Sequence, residues 1–162
     1  MSGADLEELC VRLLDRLRGG GQTIATAESL TGGMLGAVLT GVPGSSDAYV
    51  GGVVSYATAV KTAVLSVPEA VIEDHGVVSA ECAVAMAEGV RALTGADLAL
   101  ATTGVAGPGP RDGVAAGTVW VAVASARDTA TEGLSLDGGR DDVRRGACAG
   151  ALDLALNFQP LA

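Results

Sequence analysis

TIATAESLTGG, residues 23–33, is the stretch from which the fold of this chain can be read. Thr23, Ile24, Ala25, Thr26 and Ala27 have the length and composition of a short buried strand, and they run straight into Glu28-Ser29-Leu30-Thr31-Gly32-Gly33. Met34, Leu35, Val38 and Leu39 then recur at helical spacing. A strand that turns sharply into a helix predicts an α/β sheet, with the turn at the strand's carboxyl edge, where such sheets collect ligands. Backbone N–H groups at a helix start lack partners inside the helix, so they suit an anion or a developing negative charge. This corner adds two hydroxyls, Ser29 and Thr31, and two glycines, Gly32 and Gly33, that let a ligand approach the backbone. The plainer role for either hydroxyl is to cap the helix.

Working outward, residues 4–18 place Leu6, Leu9, Cys10, Leu13, Leu14 and Leu17 on one helical face, and Gly19-Gly20-Gly21 stops that helix. Val42-Pro43-Gly44-Ser45-Ser46 is a turn by composition. Residues 49–56 read as a strand whose Gly51-Gly52 pair predicts a bulge or a close backbone contact. A short helix over 57–65 carries Lys61, and Pro68 opens another through Glu73. Ser79 caps a longer helix that Gly95 ends. Residues 98–103 form a continuous buried strand of the parallel-sheet kind, followed by a glycine-rich loop over 104–113. Residues 117–124 and 129–136 predict an antiparallel hairpin, and a last helix starts near Gly139-Arg140. Helices interleave with strands, and no linker or repeat interrupts them. The expected fold is one three-layer α/β/α domain over 1–162, with a mixed, largely parallel sheet.

Composition narrows the function. The 162 residues carry a net charge of −9, which argues against nucleic acid as a partner but leaves room for a small anionic ligand held by a local positive site. Only four residues are aromatic, Tyr49, Tyr56, Trp120 and Phe158, so the core is expected to be Ala, Val and Leu. Cys10, Cys82 and Cys148 sit on apolar helix faces and read as small buried hydrophobes. With one histidine, His75, they make no zinc site of the usual kind, and no metal or cofactor is expected. Residues 1–9 are acidic rather than signal-like, and no apolar run spans a membrane. The expectation is a soluble cytoplasmic protein.

One imbalance stands out: nine arginines against a single lysine, Lys61. Lysine can lose its proton near neutral pH when its surroundings lower its pKa; arginine cannot. Loops after the first strand, after Tyr56 and at Thr103-Gly104 all leave strand ends, so they can share one site. Ser45-Ser46 precedes a strand and joins them only if its loop folds over. The site so assembled offers a serine, Ser29 or Ser46, with Lys61 and Tyr56 as the base system. A Ser-His-Asp arrangement would have to use His75, which reads better as a helix-end residue beside Glu73 and Asp74. Arg140 and Arg144, four apart, share a helical face and hold a phosphate if they turn inward.

These pieces together resemble the CinA C-terminal domain family. The resemblance rests on Ala27-Glu28-Ser29-Leu30-Thr31-Gly32-Gly33, Pro43-Gly44-Ser45-Ser46, the Tyr56-to-Lys61 spacing, Gly76-Val77-Val78-Ser79, Thr103-Gly104-Val105-Ala106-Gly107-Pro108, Gly117-Thr118-Val119-Trp120, and Gly139-Arg140 with Arg144. It covers essentially the whole chain, and its members include nicotinamide-nucleotide amidases. It implies a metal-free hydrolase that converts nicotinamide mononucleotide to nicotinic acid mononucleotide and ammonia in pyridine-nucleotide recycling, as a homodimer or larger homo-oligomer. On that basis Ser29 or Ser46 is the nucleophile and Lys61 with Tyr56 the base. Thr31, Gly32, Gly33, Thr103 and Gly104 contact the nucleotide and Arg140 its phosphate. Longer relatives add a molybdopterin-binding-like domain with pyrophosphatase activity, which is not expected here. Two departures matter. Gly109-Pro110-Arg111-Asp112-Gly113 replaces a run of glycines, and Ala57-Thr58 follows Tyr56 where small polar residues including Asn are usual. The alternatives are a nucleotide- or phosphate-binding module without chemistry, and a scaffold that associates through apolar helix faces.

Overall fold

A computed structural model describes residues 3–159. In chain order the elements are α1 (Gly3–Gly19), β1 (Ile24–Glu28), α2 (Met34–Thr40), a single 3₁₀ turn (Ser45–Asp47), β2 (Tyr49–Val54), α3 (Thr58–Leu65), α4 (Glu69–His75), α5 (Ala80–Thr94), β3 (Leu98–Gly104), β4 (Thr118–Ala124), β5 (Thr129–Ser135) and α6 (Arg140–Asn157). The strands form one sheet in the order β2-β1-β3-β4-β5. β1 pairs in parallel with both β2 and β3, while β4 pairs antiparallel with β3 and β5. The sheet is therefore mixed, as expected, with its parallel part confined to β1, β2 and β3. Residues 1–2 and 160–162 of the expected domain lie outside the described residues.

Strand periodicity divides the core into two unlike halves. Ile24, Leu98, Leu100, Val119, Val121 and Val123 point to one face, where α1, α2 and α6 cover them with leucines. The opposite face of the same strands is almost all alanine: Ala25, Ala27, Ala99, Ala101, Ala122 and Ala124. Small side chains let α5 lie close, and it answers with Ala83, Met86, Ala87 and Val90. Ser79 caps α5 by accepting from the Cys82 N–H at 3.1 Å, and Gly95 closes it in the left-handed conformation. The three cysteines are buried and unpaired, one each on α1, α5 and α6. Burial is the main cause that raises their thiol pKa values, Cys10 to about 11.

The glycine pair in β2 has both meanings given to it above. The register slips between Ile24 and Ala25, so Val50 is a bulge. A Cβ on Gly52 would stand 2.3 Å from the Thr26 hydroxyl, which itself hydrogen-bonds the Tyr49 hydroxyl at 2.8 Å. α4 runs two residues beyond the expected Glu73. Glu28 closes β1 instead of opening the turn, and that small difference shapes the site.

Candidate active site

At their carboxyl ends β1 and β2 part company. β1 leads to α2, whose Leu35 and Leu39 join the leucine-rich layer, while β2 leads to α3, whose Leu65 joins the alanine-rich layer. Two neighbouring parallel strands with connections on opposite faces leave a crevice between them. A cleft of about 1100 Å³ opens there, bounded by Ser29, the β2–α3 connection, the end of α4, the end of β3, the loop over 105–114 and Arg140. Leu30, Ile72, Val77 and Val105 give it an apolar wall.

Lys61 forms its floor. The residue is 1% exposed, the largest of the fully buried side chains. Its Nζ lies 2.9 Å from Ser29 Oγ and donates to the main-chain oxygens of Ser55, at 2.5 Å, and Tyr56, at 3.5 Å. No carboxylate stands within ion-pair distance of it among the described residues. A buried cation without an anion favours its neutral form. Burial accordingly pushes the Lys61 pKa down; Cys82, the smaller influence, acts the other way. A neutral amine has two N–H bonds and one lone pair. Two carbonyls take the N–H groups, which turns the lone pair to the Ser29 hydroxyl: the geometry of a general base. α3 is held in this place by Gly89 of α5, where a Cβ would fall 1.9 Å from the Leu65 carbonyl oxygen.

The start of α2 is not the anion site that the turn suggests. The Glu28 carboxylate, 3% exposed, folds under it and accepts from the N–H groups of Gly33 (3.2 Å), Leu35 (2.8 Å) and Gly36 (3.1 Å). A carboxylate at a helix start is favourable and satisfies donors that would otherwise be orphaned. Met34 donates to Thr31 O, Gly32 to Ser29 O and Ser29 to Thr102 O. The N–H groups of Leu30 and Thr31 are then the only ones in residues 29–36 with neither an acceptor nor a helical role among the described residues. Arg144 fixes that stretch from α6, donating to Leu30 O at 3.2 Å and Thr31 O at 2.9 Å.

The expected site residues therefore divide. Ser29, Tyr56, Lys61, Thr103, Gly104 and Arg140 all border the cleft. Thr31, Gly32 and Gly33 do not: the Thr31 side chain is fully buried against the Thr102 hydroxyl at 2.8 Å, and the Gly33 N–H is held by Glu28. Ser46 is also displaced. It precedes β2, whose Tyr49 pairs with Ile24 at the start of β1, so it sits at the opposite edge of the sheet from Ser29. Tyr56 departs from its expected place in the base system. Its hydroxyl lies at the rim, 3.0 Å from Arg140 Nη2, and its contact with Lys61 is through the main-chain oxygen. Arg140 also donates to Gly107 O at 2.7 Å. Thr103 turns its hydroxyl to Val77 O at 2.6 Å. His75 borders the cleft, half-exposed, 3.7 Å from Glu81. Pro110 does not unravel its loop, because Arg111 and Val114 exchange two backbone hydrogen bonds of 2.9 Å just beyond it. Sequence reasoning missed Glu28, Ser55 and Leu30. Only Glu28 carried a signal: an acidic residue shortly before a helix start.

The family profile described as CinA C-terminal domain matches residues 6–158. A CinA-like protein of Frankia casuarinae is 48% identical over 132 residues, 82% of this chain and 30% of that protein. The chain spans about a third of the length of the curated relatives it matches. Among solved structures, competence damage-inducible protein A of Klebsiella pneumoniae superposes with a TM-score of 0.90 at 35% identity, covering 95% of this chain and 99% of that one. A competence-damaged protein (CinA) superfamily member from Escherichia coli gives 0.90 at 33% identity, covering 96% and 92%.

Proposed function

The chain belongs to the CinA C-terminal domain family, and on that premise we propose that it hydrolyses the carboxamide of nicotinamide mononucleotide to nicotinic acid mononucleotide and ammonia. The observation that carries this reading is the 2.9 Å contact between Ser29 Oγ and a buried amine with no counter-ion. Lys61 takes the Ser29 proton as Oγ attacks the carboxamide carbon. The oxyanion is met by the N–H group of Leu30, the turn donor at the cleft that is left without an acceptor. Lys61 then returns the proton to the departing nitrogen, and ammonia leaves an acyl-serine ester. Water, deprotonated by the same amine, cleaves the ester to the acid and restores Ser29. Each oxyanion donor of this type contributes about 10²–10³ in rate.

Charge supports an anionic substrate. The chain carries −9 overall, yet the cleft is bordered by two guanidinium groups, Arg111 and Arg140, against one carboxylate, Asp112. The apolar wall suits a pyridine ring, and Arg140 at the rim suits a phosphate. Ammonia release from nicotinamide mononucleotide tests the proposal with wild type, Ser29→Ala, Ser46→Ala and Lys61→Arg. Expected is a loss of about 10²-fold or more in Ser29→Ala and Lys61→Arg, with Ser46→Ala unchanged. Full activity in Lys61→Arg would remove the base. A wild type that releases no ammonia, yet melts higher with the nucleotide present, would favour a binding module without chemistry.

A further inference from the structure

The loop that replaces a run of glycines carries the cleft's second arginine. Asp112 and Gly113 have φ of 50° and 78°, both left-handed, as a two-residue hairpin turn of the mirror-image kind requires. Arg111 and Val114 flank that turn and exchange two 2.9 Å backbone hydrogen bonds. The backbone of Arg111 is thereby fixed, while its side chain, exposed and bordering the cleft, makes no ion pair or side-chain hydrogen bond among the described residues. Other arginines are engaged: Arg16 on the end of α6, Arg18 on Asp15, Arg144 on the Ser29 turn and Arg145 on Asp141. Arg140, on the same cleft, has given one N–H to Gly107 O and another to Tyr56. An unengaged guanidinium on a rigid turn, bordering the same cleft as a second one held at the rim, is suited to a doubly charged phosphomonoester.

We infer that Arg111 is a specificity-determining residue, which with Arg140 recognises a phosphomonoester group on the substrate. The inference rests on the amidase reading for the identity of that substrate, and on the cleft alone for its chemistry. Calorimetry with ribose 5-phosphate, and with ribose as the uncharged control, tests it without any turnover. Arg111→Ala is expected to weaken ribose 5-phosphate about tenfold, the loss of one charge-assisted contact, with Arg111→Lys between the two and ribose unaffected. The effect should shrink as salt rises. The Arg111 side chain supports no other residue, so the melting temperature should hold. In turnover, KM for nicotinamide mononucleotide should rise about tenfold in Arg111→Ala at constant kcat, while the riboside is processed equally by both. An unchanged ribose 5-phosphate affinity in Arg111→Ala, or no binding to wild type, overturns the inference. So does an equal effect on nucleotide and riboside. Phosphate binding that depends on Arg111, in a wild type that releases no ammonia, would sink the amidase reading and leave this one standing.

Discussion

Glu28 and Lys61 flank the same serine, and both are ionisable side chains almost wholly removed from solvent. Their surroundings differ in kind. At the start of α2, three backbone N–H groups and the helix dipole converge on the Glu28 carboxylate. On the cleft floor, Lys61 meets two carbonyls and a hydroxyl but no negative charge. A buried charge whose partners match it holds structure together, whereas one whose partners suit its neutral form is ready to exchange a proton. On the proposed mechanism, the contrast gives Glu28 a structural part and Lys61 the chemistry.

Lys61→Met should separate the two most widely. Turnover is expected to fall by about 10²–10⁴-fold, the size of a lost general base. Stability should change little, because the cost of burying an amine without a counter-ion disappears while the Ser55 carbonyl loses one donor. Denaturant unfolding that shows Lys61→Met much weaker than wild type would break the distinction. Glu28→Ala should do the reverse. Three donors lose their acceptor, and at about 1–3 kcal/mol for each unsatisfied buried group the unfolding free energy should drop by roughly 3 kcal/mol or more. A Glu28→Ala protein of wild-type stability would contradict the structural role.

Gly89→Ala probes what holds the lysine in place. Its Cβ would meet the Leu65 carbonyl oxygen at 1.9 Å, so α3 must move away from α5. The expected cost is about 1–3 kcal/mol of stability, with loss of activity through the displaced amine. Unperturbed kinetics in this variant would show that the α3–α5 contact does not position Lys61.

The smallest effect is on pH dependence. The folded-state pKa of Lys61 is lowered, so between that value and about 10.4 the unfolded chain binds the extra proton. Stability contributed by this group must then rise with pH through that window, and the full cost of burying the ammonium is present below it. Lys61→Met should lack that slope. Equal slopes in the two proteins would refute the shift.

Much of this was legible in the chain. The continuous buried run at 98–103 and the Gly51-Gly52 pair mark buried β3 and bulged β2, and the lone lysine stands out in the composition. What failed had physical reasons. Ser46 is a nucleophile candidate only if its loop folds over, but it precedes β2 and Ser29 follows β1; parallel partners start at the same edge, so the two do not share an end of the sheet. The helix start reads as open because its one local signal, an acidic residue shortly before it, does not say that Glu28 folds forward to donors five to eight residues later. Tyr56 is expected to work with the lysine, but the chain leaves β2 at Ser55, and it is main chain that turns inward there.

Lys61 is the only lysine of the sequence, so labelling lysine with ¹³C at Cε gives a single side-chain resonance to titrate. The account predicts a midpoint below the ordinary lysine value of about 10.4, coincident with the acidic limb of kcat/KM. A midpoint at or above the ordinary value would contradict it, since an amine that stays charged cannot accept the proton of Ser29.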